Sequence, residues 1–244
     1  MKNTTPDIET KIIRGEFERH IKTIERTLVY TNIISNIKVV TSEIIKCFNQ
    51  KTMGRVFIFG NGGSAADAQH IAAEFTNRFT IERKPLPMIA LTTDTSALTA
   101  ISNDYSFNDI YSKQLQALAR KGDVVIGIST SGNSENVLKA FEISKLIGCH
   151  NVLMTGQYVK SDKDKNKRLI SLCDTFLNVD SKVTARIQEC HIIIGHIICK
   201  MIDNAVNDNE INLNSIPELG NNFKGIIINK KSMYEFEGFN SNDI

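Results

Sequence analysis

The stretch Gly54 to Phe75, GRVFIFGNGGSAADAQHIAAEF, decides the fold, because it reads as strand, tight turn and helix in one short span. Arg55-Val-Phe-Ile-Phe59 is largely apolar and ends in glycine, the pattern of a strand buried in a parallel sheet. Gly60, Gly62 and Gly63 remove Cβ atoms where the backbone must bend and approach a ligand, and Ser64 opens a helix. A helix start of this kind suits an anion, most often a phosphate. The helix then carries His70 and Glu74 four residues apart, so that imidazole and carboxylate share one face. A glycine turn can also be plain structure, and such a His/Glu pair is also common on solvated helix faces.

A second unit follows the same plan. Asp123-Val-Val-Ile-Gly-Ile128 reads as a strand, Ser129-Thr-Ser-Gly-Asn-Ser134 as a polar turn, and Glu135 to Ile147 as a helix. One hydroxyl would cap that helix. Four hydroxyls and a glycine in six residues instead offer a phosphate several neutral donors beside the helix dipole.

Further strands are expected at Met88–Leu91, Asn151–Met154 and Thr175–Val179. Helices are expected to about Ser102, over Phe107–Arg120 and from Val183 to about Asn204, with Asn103-Asp104 as a break that reads equally as a solvated turn. Lys160–Arg168 is a charged loop or solvated helix. Strands alternating with helices predict an α/β fold, a doubly wound parallel sheet flanked by helices, with the ligand at the strands' carboxyl ends. Ahead of it, residues 7 to 50 have apolar positions at helical spacing and no Pro or Gly after Gly15, which predicts two helices. These form an arm that covers a sheet edge or packs against another copy of the chain. Residues 51–204 are then the core and 205–244, Asn-rich with one strand-like run at Ile226–Ile228, an extension without an assigned role.

The whole chain sets outer limits. Its 244 residues are enough for one sizeable core without disulfide staples. A net charge of +2 gives no reason to expect nucleic acid. Cys47, Cys149, Cys173, Cys190 and Cys199 form no C-x-x-C pair, which favours reduced thiols in a cytoplasmic protein, as does a start lacking a secretory pattern. The greasiest run, Ile192–Ile202, is interrupted by Gly195, His196 and Lys200 and falls short of the ~20 residues of a membrane helix, so no membrane partner is expected.

With both units read, the chain resembles the sugar isomerase (SIS) fold and, within it, the phosphoheptose isomerases. The resemblance rests on Gly60-Asn-Gly-Gly-Ser64, Asp67-Ala-Gln-His70 with Glu74, Asn103-Asp104 with Phe107-Asn-Asp109, Gly127 to Ser134, and Ala185-Arg-Ile-Gln-Glu189 with His191 and His196. It runs from about residue 15 to 204. It implies that Ser129, Thr130, Ser131 and Ser134 hold a sugar phosphate, and that Asn61, Gly62 and Gly63, with Asn103 and Asp104 and with help from Ser64, contact the polyol. It implies one zinc per subunit at His70, Glu74, Gln188 and His196, with Glu74, Gln188 and His196 also at the substrate. Gln188 and His196 are about 12 Å of rise and roughly 80° of rotation apart on one helix, so they do not chelate by themselves.

The reaction implied is sedoheptulose 7-phosphate to D-glycero-D-manno-heptose 7-phosphate, in heptose supply for lipopolysaccharide core or capsule. Glu74 is the candidate base and His196 the candidate acid. A homotetramer with sites between subunits is implied as well. Two other readings compete. Gly60-x-Gly62-x-x-Ala65 loosely fits a dinucleotide turn, but the acidic residue expected about 20 positions on falls at Glu82 in a charged, Pro-flanked stretch. A SIS protein that binds a sugar phosphate or a protein partner without turnover, as replication-initiation regulators do, has no need of a base and acid set.

Overall fold

Five apolar runs pair side by side as β1 (Val56–Gly60), β2 (Met88–Ala90), β3 (Val124–Ser129), β4 (His150–Thr155) and β5 (Thr175–Asn178). In the computed structural model, which describes residues 7–157, 168 and 171–216, all these strands are parallel and lie in the order β2-β1-β3-β4-β5. The chain leaves β1 for one edge and returns to β3 on the other side of β1, so the winding reverses between β1 and β3. In open α/β sheets the ligand crevice lies at that reversal, beyond the strands' carboxyl ends. The doubly wound sheet expected from the sequence is present.

Both faces of the sheet are covered, which is why the strands read as continuous apolar runs rather than alternating ones. Val56, Ile58, Ile126 and Met154 point to one side, toward α2 (Ile33–Phe48), α3 (Gly63–Thr76) and α7 (Thr184–Asn207). Phe57, Phe59, Val125 and Leu153 point to the other, toward α4 (Thr95–Asp104), α5 (Ile110–Leu118) and α6 (Glu135–Ile147). The single break expected at Asn103-Asp104 comes two residues later, and a 3-10 turn at Phe107–Asp109 leads into α5.

The arm forms two helices, α1 (Ile8–Tyr30) and α2. Asp7 caps α1 by accepting from the Thr10 N–H at 2.7 Å. Thr31 separates the two helices, its hydroxyl donating to the Thr27 carbonyl at 2.6 Å and accepting from the Ile33 N–H at 3.2 Å. The two helices differ in burial. α2 buries Ile33, Ile37, Val40 and Ile44 against the core, whereas α1 leaves Ile8, Ile12, Phe17, Ile21 and Leu28 exposed. Polar contacts join α1 to α7: His20 Nδ1 lies 2.6 Å from Glu189 Oε2, and Arg186 donates to the Glu16 carbonyl at 2.8 Å.

Beyond α7, Ile211 is buried, and the backbone there is tied to Asn49, whose side chain donates to the Glu210 carbonyl at 2.6 Å and accepts from the Asn212 N–H at 2.8 Å. Ile226–Ile228 and residues 160–167 of the charged segment lie outside the described residues, and Arg168 is helical. Among the described residues no helix is long and apolar enough to cross a membrane.

Candidate active site

The two turns expected to bind phosphate and polyol stand at the carboxyl ends of adjacent strands, β1 and β3. A reciprocal amide pair ties them together: Asn61 donates to Asn136 Oδ1 at 3.0 Å, and Asn136 donates to Asn61 Oδ1 at 2.8 Å. Tyr111, stacked on Phe59, donates its hydroxyl proton to the Gly60 carbonyl at 2.5 Å.

In the β1–α3 turn Gly62 holds a φ of +56°, which favours glycine. A Cβ on Gly63 would stand 2.6 Å from Gln188 Nε2, so the missing side chain is what lets the α7 amide approach. Gln188 Nε2 lies 3.4 Å from Ser64 Oγ, and Ser64 itself is buried.

The β3–α6 turn is built from hydroxyls. Ser129 Oγ and Ser134 Oγ are 2.8 Å apart, and Ser131 Oγ accepts from the Asn133 N–H at 3.3 Å. Ser129 is buried, Thr130 half-buried and Ser131 exposed. Neither Gly62 at the start of α3 nor Ser134 at the start of α6 supplies a side-chain cap. Backbone carbonyls serve instead, Asn61 and Gly62 accepting from the Ser64 and Ala65 N–H groups and Ser134 from that of Val137.

Farther along α3, three side chains converge. His70 Nε2 lies 2.8 Å from His196 Nε2 and 3.7 Å from Glu74 Oε1, and one ligand atom from each residue falls within 4.8 Å of the others. Phe79 stacks on the His196 ring with centroids 5.5 Å apart. Gly63 beside Gln188 and His70 beside His196 show that α3 and α7 run the same way side by side. The seven and eight residues between these contacts place them about 10–12 Å apart along one crease.

Two imidazole nitrogens and a carboxylate at this spacing are a donor set that zinc accepts. Gln188 is turned to the glycine turn instead, so this chain alone brings three of the four expected ligands together. Asn103 and Asp104 sit exposed at the end of α4, where Asn103 donates to Asp104 Oδ1 at 2.9 Å.

Other residues enter the site without having been given a role, Asp67 having been quoted only within the Asp67–His70 motif. Asn136 bridges the turns and Phe79 backs His196. Asp67 lies on the α3 face between Gly63 and Glu74. Burial pushes its carboxyl up to about 6 against the opposing pull of His70, and its Oδ2 is buried without a partner among the described residues. The sequence signal for Asp67 was its spacing of three from His70.

The SIS domain family matches residues 16–156. A phosphoheptose isomerase from Thermodesulfovibrio yellowstonii is 47% identical over 197 residues, covering 81% of this chain and 92% of that protein. The solved structure of phosphoheptose isomerase GmhA from Neisseria gonorrhoeae is 40% identical with a TM-score of 0.70, covering 80% of this chain and 98% of that one. A phosphoheptose isomerase from Francisella tularensis is 33% identical with a TM-score of 0.72, covering 81% of this chain and all of that structure. The reading of the two turns and the α3 helix thus leads to one family, and the chain belongs to the phosphoheptose isomerases of the SIS domain family.

Proposed function

We propose that this protein interconverts sedoheptulose 7-phosphate and D-glycero-D-manno-heptose 7-phosphate, supplying heptose for lipopolysaccharide core or capsule. The observation that carries the reading is the convergence of His70, Glu74 and His196 in the same crease that reaches the Gly60–Ser64 turn. Membership of the family supports the substrate.

In this reading Ser129, Thr130, Ser131 and Ser134 hold the phosphate, and the α6 dipole favours its charge. Asn61, Gly62, Gly63, Ser64 and Gln188, with Asn103 and Asp104, hold the hydroxyls along the chain. Glu74 takes the proton from the carbon beside the carbonyl. His196 delivers one to the neighbouring carbon while the hydroxyl proton passes from one oxygen to the other, so that the carbonyl moves by one position and no atom is gained or lost. Phe79 on one face of His196 fixes the ring plane for that transfer.

Zinc, one per subunit, fits His70, Glu74 and His196, with Gln188 as the fourth ligand once its amide turns along the crease. When bound it supplies Lewis acidity to the oxygens on the reacting carbons.

We read the exposed apolar face of α1 and the adjoining groove of about 290 Å³, lined by Ile24, Ile33, Ile37, Ile194 and Ile197, as the contact between copies, four in all. A cytoplasmic setting suits five free, buried cysteines.

The test is conversion of sedoheptulose 7-phosphate followed by NMR, before and after metal stripping and with zinc restored. Turnover that follows zinc supports the reaction and the metal together. Turnover indifferent to stripping keeps the reaction and removes the metal, and binding without turnover overturns the enzyme.

A further inference from the structure

We propose that Arg83 and Asp203 are positioning residues that set Glu74 against His196, an inference that rests on reading those two as the reacting pair. Arg83 reaches in three directions at once. Its Nε donates to Asp203 Oδ1 at 2.8 Å, one terminal nitrogen donates to the Glu74 carbonyl at 2.7 Å, and the other donates to the Phe75 carbonyl at 2.9 Å. Both side chains are fully enclosed, at 1% and 0% exposure, so this ion pair is shielded from solvent.

Beside a local 3.3 Å donation to the Lys84 carbonyl, the contacts of Arg83 fall on something the site uses. Glu74 and Phe75 stand in the last turn of α3, whose carbonyls have no partner four residues on and sit at the negative end of the helix dipole. A guanidinium there holds the backbone of Glu74 itself. Asp203 is seven residues after His196 on α7, two turns along and on the same face. The unbroken path from the Glu74 carbonyl through Arg83 and Asp203 to α7 therefore fixes one reacting residue against the other.

Asp203 holds a third element. Its Oδ2 accepts from the Thr80 N–H at 2.7 Å, the Thr80 hydroxyl at 2.9 Å and the Ile81 N–H at 3.2 Å. Thr80 follows Phe79, the ring stacked on His196. The same carboxylate thus places the α3 end and the aromatic wall of His196. Stability alone does not call for this arrangement, since a well-packed apolar pair would serve as well as a buried ion pair. A forked guanidinium does what no lysine can, because an ammonium cannot span the three acceptors in one plane.

The experiment compares the wild-type protein with Arg83→Lys and Thr80→Val, each confirmed folded by circular dichroism. Kinetics on sedoheptulose 7-phosphate are paired with the NMR signal of the His196 ring Cε1 proton, assigned by its loss in His196→Gln. In Arg83→Lys, kcat should fall about 10- to 100-fold, the scale of a displacement near 1 Å. KM should stay within about threefold, because the phosphate turn is built on β3 and α6. The His196 signal should move as the Phe79 ring shifts.

Thr80→Val, which removes the hydroxyl's bond to Asp203 and the exposed one it accepts from Lys200 and keeps the ion pair, should move both readouts in the same direction by less, and it decides the matter should Arg83→Lys not fold. Unchanged kcat with an unmoved His196 signal overturns the proposal, as does a raised KM with kcat intact. Were the wild-type protein inactive on this sugar, the proposed function would fall, and the His196 signal would still decide the positioning.

Discussion

The units built on β1 and β3 share a backbone plan, strand then turn then helix, yet they carry opposite kinds of side chain. The first turn is rich in glycine, with Gly60, Gly62 and Gly63, and to its own Asn61 and Ser64 it adds polar groups from elsewhere: Gln188 from α7 and Asn136 from α6. The second turn brings its own donors, Ser129, Thr130, Ser131 and Ser134. The difference follows from what lies over each. α7 runs beside α3 closely enough that a Cβ at Gly63 would strike it. Helix α6 packs instead against α5 and the far face of the sheet, so its turn must provide its own hydrogen bonds. In the proposed reading, crowding puts chemistry on the first helix, where two helices can face groups toward each other, and binding on the second.

If the chemistry is confined to the first unit, Glu74→Gln has the largest effect on activity. Loss of a general base costs about 10²- to 10⁴-fold in kcat, and KM should change little because the β3–α6 turn is untouched. Steady-state kinetics would show it; a kcat within a few fold of wild type would remove Glu74 as the base and break the division between the units.

The next effect concerns stability. His191 on α7 is fully buried beside the Thr155 carbonyl, at 3.3 Å from its Nε2, and burial lowers its imidazole to about 4 despite that bond. The unfolded chain takes up this proton as pH falls below about 6.5, and the folded chain does not until about pH 4. Stability from this group is therefore complete above pH 6.5 and is lost as pH falls from 6.5 to 4. The full difference is about 3 kcal/mol. Urea titrations at several pH values should show that slope, and His191→Gln should flatten it.

How much of this was readable in the chain differs between fold and site. Apolar runs punctuated by glycine and proline disclosed five parallel strands and most helices, because a strand covered on both faces has to be apolar throughout. The packing of Ile211 was not legible, since the segment is held by its own backbone groups, the Glu210 carbonyl and the Asn212 N–H, against the Asn49 side chain, which leaves no pattern in the segment's side chains. In the site, the His70/Glu74 spacing was visible because it lies within one helix. The convergence with His196 depends on α3 and α7 lying together, and only the resemblance suggested it. Arg83 and Asp203, 120 residues apart, were not singled out: one is a charge in a Pro-flanked stretch, the other an odd acid in a greasy helix. That second oddity was a usable signal, because an acid in so apolar a helix needs a partner.

Gly63→Ala sharpens the account of the bare turn. The added methyl would stand 2.6–2.9 Å from the Gln188 amide, so Gln188 must leave its place beside Ser64. Overpacking of this kind costs about 1–3 kcal/mol in urea titrations. Turnover should fall along with stability, whereas a loss of stability alone would detach Gln188 from the reaction.

Ser131→Ala should have the smallest effect. Ser131 is exposed, and among the described residues its side chain's one hydrogen bond is a 3.3 Å contact from the Asn133 N–H, so folding should be altered by less than about 0.5 kcal/mol. Removing one neutral donor from a phosphate site forfeits about 0.5–1.5 kcal/mol of binding, a rise in KM of roughly 2- to 10-fold with kcat unchanged. Its buried neighbour Ser129 is a different case, because its hydroxyl is paired with Ser134, so Ser129→Ala should cost stability as well as affinity. If Ser131→Ala instead lowered kcat as Glu74→Gln does, the second unit would take part in the transition state and the separation of binding from chemistry would fail. A KM effect alone places that boundary between the strands β1 and β3.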